Sequence, residues 1–327
     1  MGEVNLAGQS AKLVTIIGGS GFVGRYVVRL LAKRGWRIKI FCRNPERAGY
    51  LQPQGDVGQV QAVRGNICDA QSLRAAIKGA DAIVNLAGIL SQGGAQTFED
   101  VHCEGARRVA EAAKTFEICN LVHVSALGAN PQSKALYARS KAQAEVKVLE
   151  ICPDAVILRP SVIFGEEDEF FNRFAAMARW SPFLPAIGFG RTKFAPVYAG
   201  DVARAVAAAL EGKASPGTIY ELGGPATYSL KELLHLTQIY SGHKPRTLPI
   251  PFMVATLQGA ILQYLPGKIL TIDQVRMLRS DSIVSSQAKS EGRTFAGLSI
   301  TPTPIDAVVP VYLEKFKPKG MYEHYQG

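Results

Sequence analysis

The sequence Gly18-Gly19-Ser20-Gly21-Phe22-Val23-Gly24 follows directly on the apolar run Leu13 to Ile17 and opens an amphipathic segment that ends at Arg34. The glycines form G-x-G-x-x-G in one register and G-x-x-G-x-x-G in the other. Such glycines permit a tight strand-to-helix turn and let backbone N–H groups approach a pyrophosphate. The positive end of the following helix then faces the phosphates. The stretch therefore predicts a dinucleotide site contacted by Gly18, Gly19, Ser20, Gly21, Phe22, Val23 and Gly24.

Short β-branched runs alternate with amphipathic segments through the first half of the chain. The segments Phe22 to Arg34, Phe98 to Thr115 and Leu136 to Ile151 carry apolar residues at helical spacing. Alternation of strand and helix is typical of a parallel, doubly wound sheet. The predicted fold class is therefore α/β, a Rossmann sheet with a smaller, mainly helical C-terminal domain. The predicted strands are Leu13 to Ile17, Arg37 to Cys42, Val60 to Val63, Ala82 to Asn85, Leu121 to Ser125 and Val156 to Leu158.

The composition changes after Gly165, and prolines and glycines from Pro182 to Pro196 predict an irregular stretch. A helix from Asp201 to Leu210 and a strand from Thr218 to Leu222 are then expected to return to the first sheet. We predict an NAD(P)-binding domain over residues 11–165, to which residues 195–224 return. Residues 166–194 and 225–327 are predicted to form the smaller domain, which faces a substrate or a partner.

The end of the second strand distinguishes the two dinucleotide cofactors. An NAD site usually places Asp or Glu there to bind the ribose hydroxyls, whereas arginine suits the 2′-phosphate of NADP. Here the strand ends in Phe41-Cys42-Arg43 without a carboxylate, and Arg25 directly follows the last glycine. Two guanidinium groups can hold phosphate oxygens in forked hydrogen bonds. The sequence therefore favours NADPH (NADP+) over NAD(H), with Arg25 and Arg43 as ligands of the 2′-phosphate.

Polar and small residues follow the third and fourth strands, at the carboxyl edge where a doubly wound sheet binds its ligand. Asn66 and Ile67 are predicted to contact adenine, while Ala87 and Gly88 let the cofactor pass close to the backbone. The further residues assigned to the nucleotide come from these strand ends, from the helix after the fifth strand and from the end of the sixth strand. They are Asn66, Ile67, Leu86, Ala87, Gly88, Tyr137, Lys141 and Pro160.

Ser125 ends the fifth strand, and Tyr137 and Lys141 lie four residues apart at the start of the next helix. Side chains at this spacing share a helix face. A lysine ammonium next to a phenol, with a nicotinamide cation nearby, lowers the phenol pKa from about 10 toward the working range, so that Tyr137 can exchange a proton with a substrate carbonyl or hydroxyl. Ser125 would hold the same oxygen. Ser125, Tyr137 and Lys141 are therefore the candidate catalytic residues.

The net charge of +10 predicts anionic partners, such as a nucleotide phosphate, an acidic subunit or a lipid surface. Nucleic acid is not favoured, because no basic run is interleaved with aromatic residues. The five cysteines form no C-x-x-C pair and the five histidines lack ligand spacing, so no metal site is predicted. No transmembrane segment is predicted, and Met1 to Lys12 carries no targeting signal. We expect a cytoplasmic protein, or a matrix-side one if mitochondrial, peripheral to the inner membrane.

The stretch Thr247 to Gly267 contains no charged residue. Its apolar part, Phe252 to Leu265, is too short to span a bilayer and is interpreted first as a buried helix of the smaller domain. The alternative is a helix docked on a hydrophobic partner or lying at a membrane interface. Near the C-terminus, three lysines around Phe316 form a solvated end that would also suit an anionic surface. They are Lys315, Lys317 and Lys319.

Several of these features follow one another in a fixed order: Gly18 to Gly24, Asn85 to Gly88, Ser125, Tyr137 and Lys141. In this order the chain resembles the short-chain dehydrogenase/reductase superfamily, in the extended or atypical branch that includes nucleotide-sugar epimerases. The resemblance implies that Tyr137 is the acid/base. It also implies that Lys141 both activates Tyr137 and binds the nicotinamide ribose.

Three longer segments carry a closer likeness, namely His123-Val124-Ser125, Arg159 to Asp168 and Pro196 to Val202. They resemble the family of NADPH-binding accessory subunits of respiratory complex I (NADH:ubiquinone oxidoreductase) and their bacterial homologues. In that family the nucleotide is a structural element, so the resemblance implies binding without turnover. Asp100-Val101-His102 stands where extended relatives often have an active-site asparagine, which also speaks against turnover.

The first hypothesis is therefore a nucleotide-holding accessory or assembly component of NADH:quinone oxidoreductase, with complex I subunits as partners and peripheral contact with an anionic membrane. The second is an active NADPH-dependent reductase or dehydrogenase that acts on a quinone-like or other apolar substrate. A nucleotide-sugar epimerase or dehydratase is the third.

Overall fold

The computed structural model of the chain describes residues 11–94, 96–264 and 270–318. The predicted Lys319 and the end of the uncharged stretch, residues 265–267, lie outside them. In chain order the strands are β1 Leu13–Ile17, β2 Arg37–Cys42, β3 Val60–Arg64, β4 Ala82–Asn85, β5 Leu121–Val124, β6 Val156–Pro160, β7 Ile163–Phe164, β8 Phe183–Ile187, β9 Lys193–Phe194, β10 Val197–Tyr198, β11 Ile219–Leu222, β12 Tyr228–Ser229 and β13 Arg246–Ile250. The α-helices are α1 Phe22–Lys33, α2 Ala70–Ile77, α3 Glu104–Thr115, α4 Leu136–Ile151, α5 Phe171–Trp180, α6 Ala199–Leu210, α7 Leu230–Ser241, α8 Phe252–Leu262, α9 Ile272–Met277, α10 Ser286–Ser290 and α11 Val309–Leu313.

Seven parallel strands form the main sheet, in the spatial order β11-β6-β5-β4-β1-β2-β3. The chain builds β2 and β3 on one side of β1 and then returns to add β4 on the other side. The glycine-rich turn follows β1, so it stands at the switch point where doubly wound sheets bind their ligands. Pairing of β11 with β6 brings the later strand back to the sheet. The predicted α/β Rossmann sheet is confirmed.

Helices cover both faces of this sheet, because successive residues of a strand point to opposite sides. On one face Val14 and Ile16 of β1 belong to a core that includes Val28 of α1 and Val206 of α6. On the other face Ile17 belongs to a second core, to which α2, α3 and α4 contribute. Burial on both sides explains why the central strands β1, β4 and β5 are mainly apolar, whereas β2 and β3 toward the edge include Arg37, Lys39 and Gln61.

The rest of the described chain is mainly helical, as predicted, and adds three two-stranded sheets: β8 with β13, β9 with β12 and β7 with β10. Its largest core contains Phe164, Phe171, Leu233 and Val309. Within the stretch that the sequence predicts to be irregular, Phe183–Ile187 forms β8 despite Pro185. The division at residues 165, 195 and 224 into two domains stays a prediction.

The uncharged stretch forms β13 and then α8, and α8 is not buried. Met253, Leu257 and Ile261 are 81%, 67% and 65% exposed, whereas Ala255 and Gly259 are the buried positions of the helix. The prediction of a buried helix is wrong because the small residues Ala255 and Gly259 face the protein, whereas most of the large apolar residues after Phe252 face solvent. In the described part of the chain, none of the helices has both the length and the apolar character needed to cross a bilayer.

Candidate functional site

The turn between β1 and α1 has the close packing that a phosphate-binding turn requires. Gly18 has a φ of 79°, a value that favours glycine, and a Cβ placed on it would lie 3.2 Å from the amide nitrogen of Ala87. A Cβ on Gly24 would lie 2.4 Å from the carbonyl oxygen of Gly19. The first turn of α1 has no capping side chain, so its N–H groups remain for a ligand. The glycine turn thus fits a pyrophosphate between α1 and the end of β4.

Arg25 already has a carboxylate partner in the protein. Its Nη1 donates to Oε1 of Glu167 at 2.6 Å, and its guanidinium lies 5.1 Å from the ring centroid of Tyr50. The Tyr50 hydroxyl donates to the Ser20 carbonyl at 3.0 Å, which holds the 3-10 segment Pro45–Gln54 beside the turn. The pairing with Glu167, 142 residues away, was not predicted from the sequence. Arg25 is therefore less available to a 2′-phosphate than its position after the glycines indicates.

Arg43, Asn66 and Ile67 leave neighbouring strands at the same edge, because Cys42 of β2 pairs with Arg64 of β3. Arg43 is exposed. Asn66 accepts a hydrogen bond from the Cys68 amide through Oδ1 at 3.1 Å, and Ile67 is buried. The structure thus brings the three predicted nucleotide contacts to one corner of the site.

Arg108 of α3 is a cation at this corner that the sequence patterns did not single out. A Cβ on Gly105, one turn before Arg108 in α3, would lie 2.8 Å from Cδ1 of Ile67, so this part of α3 faces the corner. Burial raises the pKa of the Cys68 thiol, and the charges of Arg108 and Arg43 oppose that shift. The Nη1 of Arg108 is buried and has no hydrogen-bond partner among the described residues. The corner therefore offers an unsatisfied donor to an anion.

Ser125, Lys141 and Gly88 come together from β5, α4 and β4. Lys141 Nζ donates to the carbonyl of Val124 at 3.1 Å, directly before Ser125. A Cβ on Gly88 would lie 3.5 Å from the same Nζ. The Ser125 hydroxyl is buried and lacks a partner in the part of the chain described. A buried, unpaired hydroxyl beside a lysine fits the oxygen of a bound nucleotide or substrate.

Burial controls the protonation of Tyr137 and Lys141. It raises the pKa of Tyr137 to about 12 and lowers the pKa of Lys141 to about 8, with Glu145 opposing the second shift. In the protein without nucleotide, removal of the phenolate from water dominates the pKa of Tyr137. The lowering of this pKa by Lys141 together with a nicotinamide cation stays a prediction. At neutral pH the tyrosine is protonated.

His102 connects the loop after β4 to the helix that carries Tyr137. It lies in a π-helix, Glu99–Cys103, where the sequence predicts regular helix, and such segments often occur at functional sites. Its Nε2 accepts from the Ile89 amide at 3.0 Å, so its Nδ1 carries the proton and donates to Ser140 Oγ at 2.8 Å. Ser140 Oγ in turn donates to the Tyr137 carbonyl at 2.8 Å. His102 is thus a positioning residue. In the sequence it stood out only because Asp100-Val101-His102 replaces the active-site asparagine of extended relatives.

Two neutral histidines lie beneath the site. Burial, reinforced by the Lys141 charge, lowers the pKa of His102 to about 2 and that of His123 to about 3. Asn85 Nδ2 donates to Nδ1 of His123 at 3.1 Å, which leaves the proton on a buried Nε2 that has no partner among the residues described. Positive charge in this layer is therefore carried by Lys141 and not by the imidazoles.

The start of α4 is held by the smaller part of the chain. Its N-cap residue, Ala135, has no capping side chain. Instead the carboxylate of Asp273 in α9 accepts from the Leu136 amide at 2.6 Å and from the Tyr137 amide at 3.0 Å. No local sequence pattern connects Asp273 with the start of α4, so this contact could not be predicted from the sequence.

Pro160 and Leu86 complete the edge. Pro160 ends β6, and its carbonyl accepts from the Leu127 amide at 2.9 Å, which ties the loop after β5 to the sheet. The Leu86 amide donates to the Ile17 carbonyl at 2.9 Å, next to the glycine turn. All the predicted site residues therefore lie at or beside the carboxyl edge of the sheet. Their individual contacts with a nucleotide stay a prediction.

Comparison with known proteins agrees with this geometry. Residues 14–223 match the model of the NAD dependent epimerase/dehydratase family. The mitochondrial NADH dehydrogenase (ubiquinone) 1 alpha subcomplex subunit 9 of Arabidopsis thaliana is 33% identical over 323 residues, which are 95% of this chain and 79% of that protein. The mitochondrial NADH-ubiquinone oxidoreductase 40 kDa subunit of Neurospora crassa is 29% identical over 324 residues, 98% of this chain and 83% of that protein.

A solved structure shares the fold over most of its length. The NADPH-dependent quinone oxidoreductase of Escherichia coli, complexed with NADPH, superposes with a TM-score of 0.70 over 91% of this chain and 99% of that chain, at 20% identity. The resemblances noted in the sequence are confirmed by these matches. The chain belongs to the NAD dependent epimerase/dehydratase family, in the branch that contains the alpha subcomplex subunit 9 of NADH dehydrogenase.

Proposed function

We propose that the chain holds NADPH as an accessory component of an NADH:quinone oxidoreductase, peripheral to the inner membrane, and that the nucleotide stabilises the protein rather than being turned over. The whole-chain likeness to two subunits of that enzyme carries the proposal. It extends over 95% and 98% of this chain, whereas the family model ends at residue 223. At the level of sequence, the likeness to complex subunits therefore includes the C-terminal third, which the family model does not match.

The protonation of the site supports retention over turnover. A general acid or base works best when its pKa lies near the working pH, and burial holds the pKa of Tyr137 at about 12. The hydrogen bonds from His102 through Ser140 to the Tyr137 backbone fix the helix without adding a titrating group. In this proposal Ser125 and Lys141 bind the nicotinamide end of the nucleotide. A bound nicotinamide nucleotide would supply hydride chemistry only if Tyr137 could protonate a substrate there.

The corner after β2 and β3 supports NADPH over NADH. It has no carboxylate at the end of β2, Arg43 directly follows that strand, and the charges of Arg108 and Arg43 both act on the Cys68 thiol. Because Arg25 is paired with Glu167, Arg43 is the first ligand that we assign to the 2′-phosphate, and Arg108 offers a buried donor beside it.

We expect Arg43→Ser to weaken NADPH binding by roughly ten- to a hundredfold, because a hydrogen bond to a charged group contributes about 1.5–3 kcal/mol. NADH binding should change little, since NADH lacks the 2′-phosphate. Titration of nucleotide fluorescence gives both dissociation constants. Arg37→Ser, at the other end of the same strand, is the matched control and should leave both unchanged. Equal losses for the two nucleotides in Arg43→Ser would refute the assignment.

The exposed face of α8 supports a protein partner. Met253, Leu257 and Ile261 present apolar side chains to solvent, and no residue of α8 is charged. An apolar helix without flanking charge fits a hydrophobic protein surface better than a layer of ionic head groups. We infer that a hydrophobic subunit of the same complex covers it, since the relatives are subunits of that complex.

The second candidate is an active NADPH-dependent reductase on a quinone-like or other apolar substrate, which the unpaired Ser125 hydroxyl beside Lys141 favours. A nucleotide-sugar epimerase or dehydratase is a further alternative, because the matching family is described by these two activities.

One experiment separates retention from turnover. We expect the protein, released from membranes by mild detergent, to co-migrate with a large complex and to carry NADPH that stays reduced when quinone is added. The nucleotide is identified after denaturation, and oxidation is followed by absorbance. Tyr137→Phe should behave like the native protein, as should the control Tyr264→Phe on the exposed end of the α8 segment. Quinone-dependent oxidation that disappears in Tyr137→Phe but persists in Tyr264→Phe would establish the reductase instead.

A further inference from the structure

A groove of about 670 Å³ lies between the end of α5 and the loop that leads into β13. It is formed where β8 and β13 begin, because Phe183 pairs with Arg246 at the start of these two strands. It lies in the smaller, mainly helical part of the chain, and neither the glycine turn nor the Ser125, Tyr137 and Lys141 group contributes to it. The nucleotide proposal therefore does not account for this groove.

Among the described residues, the groove is lined by cations and by no carboxylate. Arg179, Lys244 and Arg246 contribute to its wall, and all three are exposed and make no ion pair with a residue in the described ranges. The surrounding sequence contains no acidic residue between Glu169 and Asp201 or between Glu232 and Asp273. Three uncompensated charges around one concavity attract an anion, and the adjoining chain supplies nothing to neutralise them.

Two large aromatic side chains stand at the same groove. Trp180 is 82% exposed and Phe183 is 46% exposed, and both line it. The Arg179 guanidinium lies 5.4 Å from the Trp180 ring centroid. Tryptophan with adjacent arginine and lysine is characteristic of protein surfaces at the head-group level of a bilayer. A soluble phosphate compound would use the cations but would leave the aromatic side chains in water.

The C-terminal lysines lie beside this groove. His243, a lining residue, bonds through Nε2 to the Phe316 carbonyl at 2.8 Å. Phe316 is flanked by Lys315 and Lys317, the residues whose spacing suits an anionic surface. The bond to His243 thus joins the segment of Lys315 and Lys317 to the groove, and Lys317 is paired there with Glu314 at 3.5 Å.

We propose that this groove binds the phosphate head groups of anionic phospholipids, with Trp180 and Phe183 in the interfacial layer of the bilayer. The inference deepens the peripheral membrane location proposed above by naming its lipid-contacting site. It requires neither the nucleotide nor the α8 partner. Phosphate oxygens would accept from Arg179, Lys244 and Arg246, while the aromatic rings replace water at the glycerol level.

The test uses the purified full chain and vesicles of phosphatidylcholine, alone or mixed with phosphatidylglycerol. We expect sedimentation with the mixed vesicles only. The triple variant Arg179→Gln, Lys244→Gln, Arg246→Gln should lose affinity on the order of a hundredfold, because each basic residue near an anionic bilayer contributes several-fold. The control Lys33→Gln, Lys78→Gln, Lys114→Gln removes the same charge from exposed positions on the nucleotide-binding half. An equal loss in the control would overturn the proposal, as would equal binding to pure phosphatidylcholine.

Tryptophan fluorescence provides a direct readout of the groove. The chain has two tryptophans, and Trp36 is 7% exposed, so a shift on vesicle binding reports Trp180. We expect a blue shift with mixed vesicles that is absent in Trp180→Phe. Glycerol phosphate should neither cause the shift nor displace the vesicles. Displacement by glycerol phosphate would identify a site for free phosphate compounds and refute the lipid assignment. If the native chain retains NADPH but does not bind the mixed vesicles, only this inference is refuted. If it binds the mixed vesicles but does not retain NADPH, only the nucleotide proposal is refuted.

Discussion

Gly24→Ala is expected to weaken NADPH binding by roughly a hundredfold and to destabilise the protein. The new Cβ would lie 2.4, 2.5 and 2.6 Å from the carbonyl oxygen, carbonyl carbon and Cα of Gly19, which are backbone atoms that no rotamer can move. Relief requires α1 to shift away from the turn, although Val27, Val28 and Leu31 hold that helix in the core. Overpacking of this kind costs about 3 kcal/mol, and a similar loss in nucleotide binding corresponds to roughly a hundredfold.

Thermal unfolding and NADPH titration measure the two effects. Gly49→Ala is the control, because a Cβ at Gly49 meets no atom within 4 Å and the residue does not have a positive φ. It should bind NADPH like the native chain. A Gly24→Ala protein with native affinity would mean that the glycine turn does not hold the pyrophosphate.

Acidification from pH 7 to pH 5 is expected to reduce the free energy of unfolding by about 4 kcal/mol through His102 and His123 alone. Their pKa values of about 2 and about 3 in the folded protein lie below the ordinary value of 6.5. The unfolded chain therefore binds more protons than the folded chain from pH 6.5 downward. The free energy of unfolding has its full value above pH 6.5 and falls as the pH decreases. The loss continues below pH 5 because the pKa values of the two histidines in the folded protein are lower still.

Urea unfolding at several pH values measures this dependence. Each single substitution, His102→Asn or His123→Gln, should remove about half of the pH-dependent loss, because each histidine contributes about 2 kcal/mol over this interval. His235→Gln is the control, since His235 is exposed, and should leave the dependence unchanged. An unaltered dependence in both buried-site variants would show that neither imidazole is held neutral.

The sheet and the nucleotide edge could be predicted because their signals are local. Strands buried on both faces are apolar throughout, and the glycine turn needs no distant residue to specify its conformation. The carboxyl ends of parallel strands meet at one edge of the sheet. The sequence alone therefore predicts that Arg43, Asn66 and Gly88 lie at the same edge. The order of the strand ends thus predicts most of the candidate site.

The remainder depends on long-range packing or on patterns that are ambiguous in sequence. A helix without charged residues has no charged face that indicates its exposed side. The side of α8 that faces solvent therefore could not be predicted from the sequence. Pro185 and Pro249 argue against strands, yet β8 and β13 accommodate both in a two-stranded pair. The pairing of Arg25 with Glu167 and the raised pKa of Tyr137 follow from tertiary burial, which residue spacing does not encode.

The bond from Asp273 to the start of α4 has a consequence for biosynthesis. The helix carrying Tyr137 and Lys141 receives its cap from a residue 136 positions later. On the ribosome, residue 137 therefore emerges well before its partner, and until then the first amides of α4 have only water to bond. The nucleotide-binding half completes its site last, after the smaller part has docked. A chain that terminates before α9 would present Tyr137 on a frayed helix end, even with every residue of the Rossmann sheet in place.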